Sequence, residues 1–211
     1  RGLGDVYKRQ INNLPQVNLV NMSLGTYDRF ESFCDDQYVY TRAFANVINT
    51  LRERGTLSFV ASMNNASSNS ISAPACIANA ISVGAVWDTD PYSYNGECFE
   101  SNPTPDHMAC FSNSSIALDI LAPGSPIRAA RMNGGSVNYS GTSMATPIGV
   151  GCAALLMERS NNLTANQIES LLKNSTEVYR SDPLGREFPR IDCRASIEAI
   201  PNPAEPLTNL D

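Results

Sequence analysis

The sequence predicts an α/β domain built on a mainly parallel sheet with helices on both faces. Three observations carry that expectation. Val17-Asn18-Leu19-Val20-Asn21-Met22 and Leu57-Ser58-Phe59-Val60-Ala61 are short, β-rich apolar runs of the kind found in strands buried on both sides. Between them, Tyr40, Ala43, Phe44, Val47, Ile48 and Leu51 recur at three- and four-residue spacing, which predicts an amphipathic helix from Gln37 to Arg54, stopped by Gly55. A strand, a covering helix and a second strand make a right-handed crossover, so the two strands run parallel.

The remaining elements come in order. After a loop rich in Ser and Asn, Ala80 to Val86 predicts a third strand. Residues 88–110 carry Pro, Gly, Asn, Asp and aromatic residues without a period and read as a surface insertion. Leu118-Asp119-Ile120-Leu121 and Ile127-Arg128-Ala129-Ala130 are brief strands on either side of Ala122-Pro123-Gly124, which reads as a break. Gly141-Thr142-Ser143-Met144-Ala145-Thr146-Pro147 then opens a helix of small apolar residues, with Pro147 expected in its first turn. Thr164 and Gln167 form a capping box before a helix whose apolar face is Ile168, Leu171 and Leu172. A last helix around Ala195 to Ala199 precedes a Pro-rich tail, 201–211. Residues 1–10 share no period with the rest of the chain and read as a non-native or assembly-derived segment. Residues 11–200 are expected to form a single unit, with no repeat and no linker.

Composition narrows the function classes. With 211 residues, 42% hydrophobic and 17% charged, the chain has the make-up of a globular domain rather than a disordered or fibrous one. Its net charge of −6 and scattered basic residues argue against a nucleic-acid partner. No apolar run approaches the roughly 20 residues of a membrane span. Six cysteines with no C-x-x-C spacing and a single histidine argue against a zinc site and for disulfides, hence for a secreted or extracytoplasmic protein. Cys34 and Cys76 both follow strand ends on one edge of the sheet, and Cys98 with Cys110 would close the insertion on itself. Cys152 and Cys193 fit a bridge and a pair of buried thiols equally.

The chemistry lies beyond the carboxyl ends of the strands, where ligands of open parallel sheets bind. Ser143 begins a helix that must pack on this sheet, and a helix start offers free N–H groups and the positive end of the peptide dipole to a developing negative charge. A serine attacking a carbonyl also needs a donor aimed at the oxygen that becomes negative. Asn64, after the second strand, can supply one from its amide, and the N–H of Ser143 can supply another.

These stretches resemble the subtilisin-like serine proteases, the subtilases. The blocks occur in order: Asn21-Met22-Ser23-Leu24-Gly25, Val60-Ala61-Ser62-Met63-Asn64-Asn65, Leu121-Ala122-Pro123-Gly124, and Gly141 through Pro147. The resemblance spans about Val17 to Ala199 and implies a three-layer subtilisin-like fold, N-terminally truncated. It implies a serine endopeptidase with Ser143 as nucleophile and Asn64 as oxyanion donor. It also implies that Ser23, Leu24 and Gly25 on one side and Ala61, Ser62 and Met63 on the other, together with Thr142, hold a peptide or protein substrate as an added strand. Ala73-Pro74 falls where the family often has a cis peptide. No cofactor and no metal ligands are assigned, although calcium is frequent in the family, and a monomer is expected.

The chain departs from the family pattern in three places. Met63 stands where a Gly usually precedes the oxyanion asparagine, which should narrow or flex the specificity pocket. Ile148 follows Pro147 where the family commonly has a histidine that is not the catalytic base. The Asp and His that precede the serine in subtilisin have no counterpart upstream of Val17, and His107 lies in the insertion, outside the family's histidine motif, with a surface role. The chain is therefore expected to be the C-terminal portion of a catalytic domain, inactive alone. A pseudoprotease that binds peptide without cutting it is the alternative reading.

Overall fold

The computed structural model describes residues 17–89, 94–96 and 98–200. The segments expected at 1–10 and 201–211 lie outside the described residues. In chain order the elements are β1 (Leu19–Met22), β2 (Arg29–Phe30), α1 (Val39–Glu53), β3 (Leu57–Ala61), β4 (Ile71–Ser72) and β5 (Ile81–Trp87). Next are β6 (Tyr94–Asn95), β7 (Phe99–Glu100), β8 (Ile120–Ser125), β9 (Ile127–Ala130) and β10 (Ser136–Tyr139). The chain continues with α2 (Thr142–Arg159), α3 (Ala165–Asn174), β11 (Tyr179–Ser181), β12 (Glu187–Pro189) and α4 (Cys193–Glu198).

β1, β3, β5 and β8 form one sheet in that order, and every pairing in it is parallel. The pleat sends successive side chains of β3 to opposite faces. Leu57 and Phe59 join the core beneath α2, while Val60 joins Ala45 and Ile48 beneath α1. Helices therefore cover both faces, giving three layers. α2 lies across all four strands of the sheet, burying Thr142, Ala145, Thr146, Gly149, Cys152, Ala153 and Leu156. That stripe repeats every three or four residues, and its small side chains let the helix axis approach the sheet closely. Truncating the fully buried Phe59 to Ala would cost about 3–5 kcal/mol by leaving a cavity under this helix.

Local rules hold at several predicted ends. Gly55, with φ +81°, follows the C-cap of α1, and its N–H bonds the Arg52 carbonyl. Thr164 and Gln167 exchange the capping-box bonds at the start of α3. The break expected at Ala122-Pro123-Gly124 does not occur, because β8 runs through it, pairing Ala122 with Ala85 and Pro123 with Val86. Proline is tolerated there because β8 is an edge of the sheet, where no further strand calls on its missing N–H. β9 lies where its apolar run places it, whereas its hairpin partner β10 and the β11–β12 pair carry no comparable sequence signal.

All six cysteines are paired, as Cys34–Cys76, Cys98–Cys110 and Cys152–Cys193, with Cα separations of 5.4, 6.1 and 5.4 Å. The third bridge resolves the pair that spacing leaves open, tying α2 to α4. Both Ala73-Pro74 and Ser125-Pro126 are cis.

Candidate active site

Gly141 is the N-cap of α2, so Ser143 is the second residue of the helix, half-buried at its start. Gly141 adopts φ +151°, and a Cβ there would lie 3.2 Å from Asn64 Nδ2. Only glycine combines that backbone with that approach. Asn64 is oriented from behind: its Oδ1 accepts from the Thr142 N–H at 2.8 Å and from the Thr142 hydroxyl at 2.9 Å. With the carbonyl end of the amide thus engaged, Nδ2 is left to donate outward. Among the described residues neither Asn64 Nδ2 nor the Ser143 N–H has a hydrogen-bond acceptor, whereas the next N–H groups, of Met144 and Ala145, reach the Gly141 carbonyl. Two unspent donors at a helix start beside a serine hydroxyl form an anion-stabilising arrangement.

Thr142, expected at the substrate, is fully buried and stands behind Asn64 instead. Pro147 also departs from expectation. It is the sixth residue of α2, beyond the first turn, so its missing N–H leaves the Ser143 carbonyl without its i+4 partner. The Ser23 hydroxyl takes that place, donating to the Ser143 carbonyl at 2.9 Å and accepting from Asn21 Nδ2 at 3.1 Å. Position 23, 120 residues upstream, thereby fixes the turn that carries Ser143.

A fully buried asparagine, Asn113, braces the Asn64 loop and was missed in the sequence. Its Oδ1 accepts from the N–H groups of Asn65 and Ser67, its Nδ2 donates to Asn65 Oδ1, and its own N–H donates to the Met63 carbonyl. Its carbonyl accepts from the buried Ser62 hydroxyl. These partners are 46 to 51 residues away, so no local pattern could have revealed them. The side chains of Ala61 and Ser62 are buried, leaving backbone to form that edge of the cleft.

Among the described residues no side chain hydrogen-bonds the Ser143 hydroxyl. His107 is exposed in the insertion, where its carbonyl accepts from Trp87 N–H, and it lines a cavity of about 220 Å³ with Ser67, Ser68, Glu100 and Asp182. Neither Ser143 nor Asn64 lines that cavity. Among the described residues no group of three or more His, Cys, Asp or Glu side chains is placed to hold a metal ion.

A serine and an amide donor at the carboxyl end of a four-stranded parallel sheet, with α2 packed across it, define a subtilisin-like site and fold. The Subtilase family model matches residues 4–193, and the chain belongs to that family. It is 35% identical over 146 residues to subtilisin BL of Lederbergia lenta, covering 66% of this chain and 48% of that protein. It is 32% identical over 117 residues to the alkaline serine exoprotease A of Vibrio alginolyticus, covering 55% of this chain and 19% of that protein. The chain thus spans about half or less of the length of these relatives. Among solved structures, the prenylagaramide maturation protease PagA aligns with a TM-score of 0.66 at 25% identity, over 93% of this chain and 65% of that one. A cold-adapted subtilisin-like serine proteinase aligns with a TM-score of 0.62 at 26% identity, over 89% and 60%.

Proposed function

We propose that this chain is the nucleophile-bearing portion of a serine endopeptidase that acts on extended peptide outside the cytoplasm. The observation that carries the reading is the double hydrogen bond from Thr142 to Asn64 Oδ1, which leaves Asn64 Nδ2 as a donor beside Ser143. In the reaction the Ser143 Oγ bonds the scissile carbonyl carbon and gives its proton to a histidine base. Asn64 Nδ2 and the Ser143 N–H receive the oxyanion. Collapse expels the amine, which takes the proton, and water then releases the acyl group by the same path in reverse. The family's histidine base and orienting aspartate have no counterpart among these 211 residues, so the chain by itself should be inactive. The substrate backbone lies between Ser23-Leu24-Gly25 and Ala61-Ser62-Met63 as an added strand, and the three disulfides suit an oxidising compartment.

A peptide-binding domain without catalysis is the second reading, favoured by Met63, whose side chain crowds the cleft edge. Both are tested on the complete protein that contains this chain. A fluorophosphonate should label it, casein should be cleaved, and Ser143→Ala should abolish both, with turnover falling about a million-fold. A folded, complete protein that neither labels nor cleaves would overturn the endopeptidase reading.

A further inference from the structure

We propose that the site selects a small side chain, Gly, Ala or Ser, on the residue whose carbonyl faces Ser143, because Met63 fills the recess that a larger side chain would enter. The proposal rests on the reading of Ser143 and Asn64 given above. β1 and β3 stay in parallel register as far as Met22 opposite Val60. Beyond that point the chains continue as Ser23-Leu24-Gly25 and Ser62-Met63 on the two sides of the sheet's end. The Thr26 N–H to Ala73 carbonyl bond, 2.9 Å, draws the 71–73 segment beneath them. Gly25, Met63 and Ser72 thus enclose one recess beside Asn64.

That recess is already occupied. A Cβ on Gly25 would lie 2.5 Å from Met63 Cγ, 2.8 Å from Met63 Sδ and 3.3 Å from Ser72 Cβ. Adding one bond of about 1.5 Å puts Met63 Cγ within about 4 Å of Gly25 Cα, which is van der Waals contact. A planar ring needs about 7 Å between facing walls, two contact distances. No aromatic or long aliphatic side chain fits while Met63 stays. Two further observations mark the position. Met63 holds φ +77°, a conformation that disfavours any side chain, yet the side chain is kept and directed inward. Behind it the Ser72 hydroxyl is buried without a hydrogen-bond partner among the described residues, a polar floor that Met63 seals off.

The test uses the complete protein and peptides that differ only at that residue. Cleavage of the Ala peptide should exceed that of the Phe peptide at least ten-fold in kcat/KM, and Met63→Gly, which relieves the backbone and opens the floor, should erase most of that ratio. Met63→Ala provides a milder second variant, with an intermediate ratio. Binding of the same peptides to the Ser143→Ala protein, followed by fluorescence anisotropy, gives a readout independent of hydrolysis and should show the same order. Equal affinity for the Ala and Phe peptides, a ratio untouched by Met63→Gly, or no peptide binding at all would overturn the proposal. Ala-selective binding without any hydrolysis by the wild-type protein would sustain it while sinking the endopeptidase reading.

Discussion

The loop that follows β3 and the insertion between β5 and β8 look alike in sequence, both being rich in Asn, Ser and turn residues without a period. They differ in where their polar groups are spent. The Asn64 loop is bonded inward, through Thr142 at its tip and the buried Asn113 at its base. Arg186 adds an outer brace: it reaches the Ser68 carbonyl and Asn69 Oδ1 while its guanidinium is held by Asp182. The insertion is fastened mainly at its own C-terminal arm. Ala109 N–H bonds the Ala85 carbonyl, Glu100 accepts from Trp87 Nε1 and the Cys110 N–H, and Cys98–Cys110 closes the loop. Asp106 pairs with Arg190 at 2.8 Å on the surface. One loop is built to fix a single amide, and the other is built to stay in place. His107, in the second, meets the first only across a cavity it shares with Ser67 and Ser68, which neither Asn64 nor Ser143 lines.

Substitutions should separate the two regions. The largest effect belongs to Asn64→Ala, which removes the proposed oxyanion donor and should lower kcat of the complete protein about 10²- to 10³-fold with little change in KM. A loss confined to KM would instead make Asn64 a substrate contact. Asp182→Asn should act through the brace. Burial pushes the Asp182 carboxyl up, but hydrogen bonds from Arg186 and Ser114 outweigh it, and the net shift is downward. A carboxyl depressed in the folded state stabilises the fold above its unfolded value of about 4 and loses that contribution as pH falls through the folded value. Asp182→Asn should therefore cost about 2 kcal/mol near neutrality and flatten the decline of stability below pH ~4, as read by denaturant unfolding. An unchanged acid limb would remove Asp182 from the account. The smallest effect is that of His107→Ala, within about 0.5 kcal/mol in stability and two-fold in activity, with the pH profile unmoved. A loss of activity of several orders of magnitude in His107→Ala would instead make His107 the base and erase the contrast between the two loops.

Much of this was legible from residues whose signal is local. The continuous apolar runs and the three-to-four-residue helical spacing located β1, α1, β3 and β5 within two residues, and the Thr164 to Gln167 box located α3. Ser143 and Asn64 were readable as candidates because the motif places them on a helix start and a strand end, and the structure brings both to Thr142. What escaped was non-local. Pro123 reads as a breaker until β5 is seen to pair with it, and Pro147 reads as a first-turn residue until Ser23 is found replacing its bond. Asn113 looks like any loop asparagine, since its role exists only once residues some 50 positions apart meet. The recess beneath Met63 likewise depends on Gly25, in the loop after β1, and Ser72, in β4, arriving together.

The central claim, that this chain carries the nucleophile with its oxyanion donors, is tested most directly by locating the covalent adduct. The complete protein is treated with a fluorophosphonate, digested, and mapped by mass spectrometry. The account predicts one adduct, on Ser143, formed at least 10²-fold more slowly in Asn64→Ala. An adduct on any other serine, or one on Ser143 formed at the same rate without Asn64, would contradict it.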